Sequence, residues 1–419
     1  MTFNKKPKFV GQFITVLAIA VICVVLSINI ANHTDKSSDF YVFWTAGYNF
    51  MHGNPLYSRI GGACRFIYPP FAAFLFQFFA LFPLKVAAII FAIINFMLYF
   101  LALFLVRKIF GFYIKDSRKL NISLFFAALL SFRYFWYHFH FLQLNIVVFV
   151  LCLAGVLLYL NGKRTYPVFF LVFATFIKVF PVFFLVWLVI RGSFKMPFII
   201  AGVVILFTFA PIINRGFSRA ESDIKDYYSS FLEPFQKGRV EPEFNNYSLS
   251  SAIFNAFQPS IDSDGDNFRL FYISREATNI ICKFASILVL SMLIFIVRRN
   301  RVLNRGVTVY EMAILFLTAL LLSGITWEYH LVTLIFAFMA LISMNVAGMK
   351  KGWAFFRVVF LLFAIALDLV GRDTVGNKLF HYIGGYNALT ILMLGLFLFF
   401  FFFDIRQHNK IDIVKSHSL

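Results

Sequence analysis

The chain has 419 residues, of which 61% are hydrophobic and only 14% charged, with a formal charge of +19. A soluble fold of this length could not hide that much apolar surface, whereas lipid can solvate it, so the composition excludes an ordinary globular enzyme and points to an integral membrane protein. The positive charge does not indicate nucleic-acid binding, because the Lys and Arg residues fall in short clusters between apolar stretches, as the positive-inside rule requires.

In chain order, an apolar run over 9–31 follows Lys5, Lys6 and Lys8. It is too long for a signal-peptide core of about 7–15 residues and is read as the first transmembrane helix. Further spans are expected at 85–106, 120–137, 142–160, 196–213, 281–297, 309–326, 330–348, 353–370 and 386–404, which makes about ten full crossings at about 20 apolar residues each. Segment 166–190 differs. Its flanks, Lys163–Arg164 and Arg191–Lys195, are both basic, and Lys178 and Pro181 interrupt its middle. Proline breaks the helical hydrogen-bond ladder and disfavours helix at the residue before it, so two short helices that enter and return are expected. With that hairpin both termini, including the 405–419 tail, fall on the cytoplasmic side together with the basic clusters Arg107–Lys119, Arg298–Arg305 and Lys350–Lys351. The chain is read as one all-α polytopic membrane domain over 1–419. The 61 Phe residues need no role beyond lipid-facing and helix–helix packing.

The non-cytoplasmic side then carries 32–84, 138–141, 214–280, 327–329 and 371–385. Segment 32–84 is a first outer loop with an interfacial piece at Phe71–Leu81. Segment 214–280 holds ten of the 19 acidic residues and an apolar patch, Leu249–Phe257, expected as a short interfacial helix. Cys23, Cys64, Cys152 and Cys282 lack the spacing of a zinc or redox site, and nothing indicates that Cys64 and Cys282 pair. Asp262, Asp264 and Asp266 do not fit a calcium loop, since Asn267 and Ile273 stand where Gly and Glu are needed, and they are read as a polar turn.

Candidate chemistry concentrates at the outer edges of the spans. Asp39, followed by Phe40, Tyr41, Phe43 and Trp44, is a carboxylate at the interface that could hold a raised pKa and take a proton from a hydroxyl. Tyr68-Pro69-Pro70 reads as a rigid helix start. Lys178 costs about 2.5–3.5 kcal/mol at mid-bilayer, so it is a functional candidate, able to bind a phosphate or to snorkel to the headgroups. Trp327-Glu328-Tyr329-His330 and the set His138, His140, Gln143 and Asn145 form further polar clusters that could bind sugar hydroxyls or cap helix ends.

Taken in order, several pieces resemble glycosyltransferase family 87, membrane mannosyltransferases of the GT-C class that use polyprenyl-phosphate sugars. The pieces are Asp39 with Tyr41 and Gly47; Gly53-Asn54-Pro55-Leu56-Tyr57; Tyr68-Pro69-Pro70; Leu142-Gln143-Leu144-Asn145; Ile177-Lys178-Val179-Phe180-Pro181; Asn246-Tyr247-Ser248; and Trp327-Glu328-Tyr329-His330. The pattern departs from the family at Ser323-Gly324, where a Ser-Pro pair is usual, at Tyr329-His330, where paired His is usual, and at Leu142, where Gly usually precedes Gln. The resemblance implies that Asp39 is the general base for an acceptor hydroxyl. It implies that Lys178, with His330 and Arg65, stabilises the leaving polyprenyl phosphate, and that Gln143, Asn145, Tyr68 and Glu328 contribute to substrate binding. It implies a polyprenyl-phosphate sugar donor, a glycan or glycolipid acceptor, no cofactor or metal, no nucleic-acid partner, and an active site on the outer face of a bacterial cytoplasmic membrane. A lipid-sugar flippase and a glycan polymerase or ligase are the competing readings.

Overall fold

The computed structural model describes residues 6–57, 65–240, 245–258, 269–345 and 349–406. Among these the secondary structure is helical, without strands. The helices are α1 (Lys6–Asn32), α2 (Asp39–Met51), α3 (Pro70–Ala80), α4 (Leu84–Phe110), α5 (Ser117–His140), α6 (Asn145–Leu160), α7 (Tyr166–Ile177), α8 (Val182–Arg191), α9 (Met196–Arg215), α10 (Phe217–Tyr227), α11 (Glu233–Gln236), α12 (Leu249–Phe257), α13 (Arg275–Val302), α14 (Val309–Leu321), α15 (Leu334–Ser343), α16 (Lys351–Asp368), α17 (Arg372–Gly385) and α18 (Ala388–Arg406). A π-helical turn, Tyr228–Leu232, joins α10 to α11, and a 3-10 turn, Glu328–Thr333, leads into α15.

Each span expected from the sequence overlaps a helix, although 309–326 holds only the 13 residues of α14 and 330–348 a 3-10 turn and the 10 residues of α15. Among the described residues, five helices are long and apolar enough by themselves to cross a membrane: Thr15–Asn32 of α1, α4, α9, α13 and α18. Shorter apolar helices, among them α3, α6, α7, α8 and α14, stand beside them. The protein is a polytopic membrane protein. The expected broken hairpin is present. α7 ends at Lys178, which adopts an extended conformation, and α8 begins after Pro181. Lys178 Nζ reaches Asn145 at the start of α6 at 2.7 Å. At the far end of α6, Tyr159 lies under the Arg164 guanidinium at 4.3 Å and donates to the Arg191 carbonyl at 3.4 Å. The hairpin therefore leaves from and returns to the basic end of the bundle, with Lys178 at its tip.

That basic end is fastened by a buried polar network. Glu311 of α14 pairs with Arg191 and accepts from Trp187 at 2.8 Å. Asn300 of α13 donates to both Glu311 and Asp404, at 2.9 Å each, and Thr308 donates to Asp404 at 2.7 Å. Each buried carboxylate has several donors, which is the condition for tolerating charge away from water.

The structure corrects the reading of 32–84 as a loop with a single interfacial piece, because its first half also folds. Ser38 caps α2 by accepting from the Tyr41 N–H at 3.3 Å. Phe40, Phe43, Gly47 and Phe50 then recur at helical spacing and are buried. Phe43 stacks on Phe76 of α3 at 5.0 Å, and Phe40 on Phe91 of α4 at 5.3 Å. Pro70 opens α3 as its first residue, as the Tyr-Pro-Pro run indicates. The far end of α2 is held by Arg215 of α9, which donates to the carbonyls of Asn49 and Phe50 at 3.0 and 2.9 Å and pairs with Asp223 of α10 at 2.7 Å. Segment 371–385 is likewise helical rather than a plain loop, with a break at Gly376. The expected helix at Leu249–Phe257 is α12.

Gly47 explains how closely α2 and α3 approach. A Cβ there would lie 2.3 Å from the Phe76 carbonyl oxygen, a backbone atom that cannot swing aside. Gly47→Ala should therefore force the helices apart and cost about 1–3 kcal/mol. Gly202→Ala on α9, where a Cβ meets nothing within 4 Å, should be neutral or better. Thermal unfolding of the two variants in detergent checks the contrast.

Candidate active site

The site is assembled from four places. The first is the start of α2. Asp39 is the first residue of that helix, where the helix dipole favours negative charge. Its Oδ2 accepts from Gln143 Nε2 at 2.6 Å. It is half-buried, and burial raises its carboxyl above the ordinary value of 3.8, while the Gln143 hydrogen bond and the Lys178 charge pull the other way.

The second is the turn between α5 and α6, which supplies Gln143 and Asn145. The turn closes with Leu142 at φ 48, a left-handed conformation. This costs a residue with a Cβ roughly 1–2 kcal/mol, which is the physical reason a glycine suits the position. The Leu142 side chain is fully buried in return. The Gln143 N–H donates to the His138 carbonyl at 3.1 Å, so the residue that holds Asp39 is itself held by the end of α5.

The third is the hairpin tip. Lys178 is buried, and its Nζ lies 2.7 Å from Asn145 Oδ1, 2.8 Å from His330 Nε2 and 5.2 Å from the centroid of the Tyr68 ring. The fourth is the segment before α15. The Trp327 N–H donates to His330 Nδ1 at 3.0 Å, and Asn145 Nδ2 donates to the Tyr329 carbonyl at 3.2 Å. Asn145 thus ties Lys178 to the segment that carries His330.

Sequence reasoning placed Asp39 in one layer with Gln143, Lys178 and His330, and named Asn145 and Tyr68 as further candidates; the structure joins Asp39 to Gln143, and Lys178 to Asn145, His330 and the Tyr68 ring. Glu328 is near them but turned elsewhere. Its carboxylate accepts from Arg133 of α5 at 3.0 Å and from the Tyr247 hydroxyl at 3.4 Å. Arg65 is exposed. His138 is buried against Asn95 at 2.8 Å, and His140 is exposed. Cys64 and the Asp262, Asp264 and Asp266 turn lie outside the described residues, and Cys282 is a free thiol.

Arg133 was missed from the sequence. Besides Glu328, it donates to the Leu367 carbonyl at 3.0 Å and to the Val370 carbonyl, both at the end of α16. A lone Arg inside an apolar run was the available signal. Asn246 is a second anchor: its Oδ1 accepts from the Thr326 and Ser248 N–H groups at 2.9 and 3.1 Å, and its amide donates to the Gly324 carbonyl at 3.3 Å. Both residues hold the strand of chain from Gly324 to His330 in place.

Tyr68, Lys178 and His330 line one part of a cavity of about 540 Å³ whose other walls include Phe183, Phe235 and Ile287. Asp39 is not among the lining residues. Lys178 and His330 share this cavity with Arg239, Asn279 and Lys283 and with apolar walls, and the Asp39 carboxylate is close enough to Lys178 to interact with its charge.

The family model of glycosyltransferase family 87 matches residues 66–324, more than half of the chain. The chain belongs to glycosyltransferase family 87 and is a membrane glycosyltransferase. The matched stretch contains Tyr68, Gln143, Asn145 and Lys178, and Asp39 and His330 lie outside it. No curated protein matches the chain.

Removing the Arg133 charge should leave Glu328 buried without its cation and let the His330 segment shift. Arg133→Gln is expected to lower the turnover of sugar transfer by about 10–100-fold. Arg133→Lys should rescue little of this, since one ammonium cannot span a carboxylate and two carbonyls as a guanidinium does. A fall in kcat at nearly constant donor KM, measured with purified protein, separates this positioning role from loss of a binding contact.

Proposed function

We propose that this glycosyltransferase moves a single sugar, most simply mannose, from a polyprenyl-phosphate donor to a glycan or glycolipid acceptor with inversion at the anomeric carbon. The observation that carries the reading is the Asp39–Gln143 pair close to the Lys178–His330 pair, the latter lining the cavity. Asp39 takes the proton of the acceptor hydroxyl. The freed oxygen pair attacks the anomeric carbon, and the bond from that carbon to the phosphate oxygen breaks on the opposite side. Polyprenyl phosphate departs with the electron pair, and its added negative charge is met by Lys178, with His330 beside it. The cluster belongs to the outer face of the cytoplasmic membrane in this reading. The support is that it sits at the end of the bundle opposite Arg164 and Arg191, and basic residues favour the cytoplasmic side.

The experiment is incubation of membranes with a panel of labelled polyprenyl-phosphate sugars, with products weighed by mass spectrometry. Asp39→Asn should still bind donor but lose about 10²–10⁴-fold in transfer. Normal transfer by that variant removes Asp39 from the mechanism, and a product heavier by more than one sugar favours a polymerase or ligase.

The pH dependence gives an independent check. The base must be ionised, so kcat/KM should fall as pH drops through the Asp39 pKa, which burial holds above 3.8. The Gln143 hydrogen bond lowers that pKa, so Gln143→Leu should move the acid limb to higher pH. An acid limb that stays where it is in wild type and Gln143→Leu would mean that another group titrates.

A further inference from the structure

The cavity extends beyond the Lys178–His330 cluster to a second polar region. α13 is one of the helices long and apolar enough to cross a membrane, yet its Asn279, Lys283 and Ser286 all line the cavity. Their spacing of four and three residues puts them on one face of the helix. Polar residues in a membrane span that face a cavity rather than lipid are functional candidates, since lipid-facing positions do not favour them. This wall opens outward: Lys283 is exposed, and the neighbouring cavity-lining Ile287 is exposed as well.

Arg239 joins this face from the turn after α11. Gly238 has φ +85, a conformation that suits glycine, and a Cβ on it would lie 3.4 Å from the Asn279 amide. The Arg239 N–H is fixed to the Pro234 carbonyl at 2.8 Å. The turn thereby delivers Arg239 to the cavity wall beside α13. Lys283 forms no hydrogen bond or ion pair among the described residues. Among the described residues, no carboxylate lines the cavity at all, whereas Lys178, Arg239 and Lys283 do.

We infer that Lys283, Arg239 and Asn279 form a second anion subsite in this cavity, one that takes a lipid-borne phosphate separately from the Lys178 cluster. The inference rests on the assignment of Lys178 to the donor's phosphate. Lys178 already has Asn145 and His330 within hydrogen-bond distance, so the two cationic regions are separate constructions. α13 is 28 residues, roughly 42 Å at 1.5 Å per residue, and longer than the hydrocarbon core of about 30 Å. Lys283 lies about two turns from its start, where a helix of that length leaves the hydrocarbon and a phosphate headgroup resides. Two lipids of this reaction carry phosphate there: the polyprenyl carrier on its way in or out, and an acceptor anchored on a phospholipid.

The test uses the full chain in phosphatidylcholine nanodiscs. The probes are farnesyl phosphate and short-chain phosphatidylglycerol, with farnesol as the uncharged control. Lys283→Gln is expected to weaken binding of at least one phosphate probe by about tenfold, with farnesol unaffected. Arg239→Gln should weaken the same probe, and Lys283→Arg should restore it. A loss confined to farnesyl phosphate gives the subsite to the polyprenyl carrier. A loss confined to phosphatidylglycerol gives it to a phospholipid-anchored acceptor. Wild-type affinity for both probes in Lys283→Gln, or no recovery in Lys283→Arg, overturns the proposal. Lys178→Gln is assayed in parallel for sugar transfer: full transfer by that variant would sink the assignment of Lys178, while a Lys283-dependent affinity would still stand.

Discussion

A buried ammonium at the tip of a broken hairpin is the constraint around which the active end of the molecule is arranged. An unpaired charge in that position would cost several kcal/mol, so it must be met by polar partners. Asn145 and His330 meet it at 2.7 and 2.8 Å, and the Tyr68 ring lies over it. Each partner sits at the start of a helix or in the turn leading into one. Lys178 in turn needs the break at Val179–Pro181, since a continuous helix would carry it past the layer where Asn145 and His330 lie. The hairpin's opposite end is bound to Glu311 through Arg191 and Trp187, which fixes the height of its tip.

Much of this was legible in the sequence because membrane chemistry leaves strong marks. Paired basic flanks and a mid-segment Lys and Pro are enough to specify a hairpin at 166–190. Apolar length gives the other helices, and Tyr68-Pro69-Pro70 marks the start of α3. What the sequence hid follows from contacts between distant segments. The α2 helix escaped because its stretch, rich in aromatic residues and Gly, looks like an interfacial loop until the partner face of α3 is known. Glu328 was read by adjacency to His330, yet successive residues in a turn point in different directions, and it turns to Arg133. Arg133 itself lies 195 positions from Glu328, a separation no local pattern reveals.

The departures from the family pattern also acquire physical content. At Leu142 the turn keeps the left-handed geometry that glycine would supply freely and accepts the strain in exchange for a buried apolar side chain. At Gly324 the ring of Phe235 occupies the space a side chain would take, with its Cε1 2.7 Å from where a Cβ would be. Both residues line the cavity. A side chain at 324 would have to displace that ring, so the glycine fixes the shape of this part of the cavity wall.

The hydrogen bond from the Trp327 main chain to His330 engages one edge of that imidazole, and Lys178 engages the other. A peptide N–H is a permanent donor, and so is an ammonium, yet a neutral ring has a lone pair on one nitrogen and a hydrogen on the other. The main-chain N–H at Nδ1 and the Lys178 ammonium at Nε2 therefore compete for a single lone pair. Whichever holds it, that lone pair is already engaged, and the ring has none left over to take a proton from a substrate.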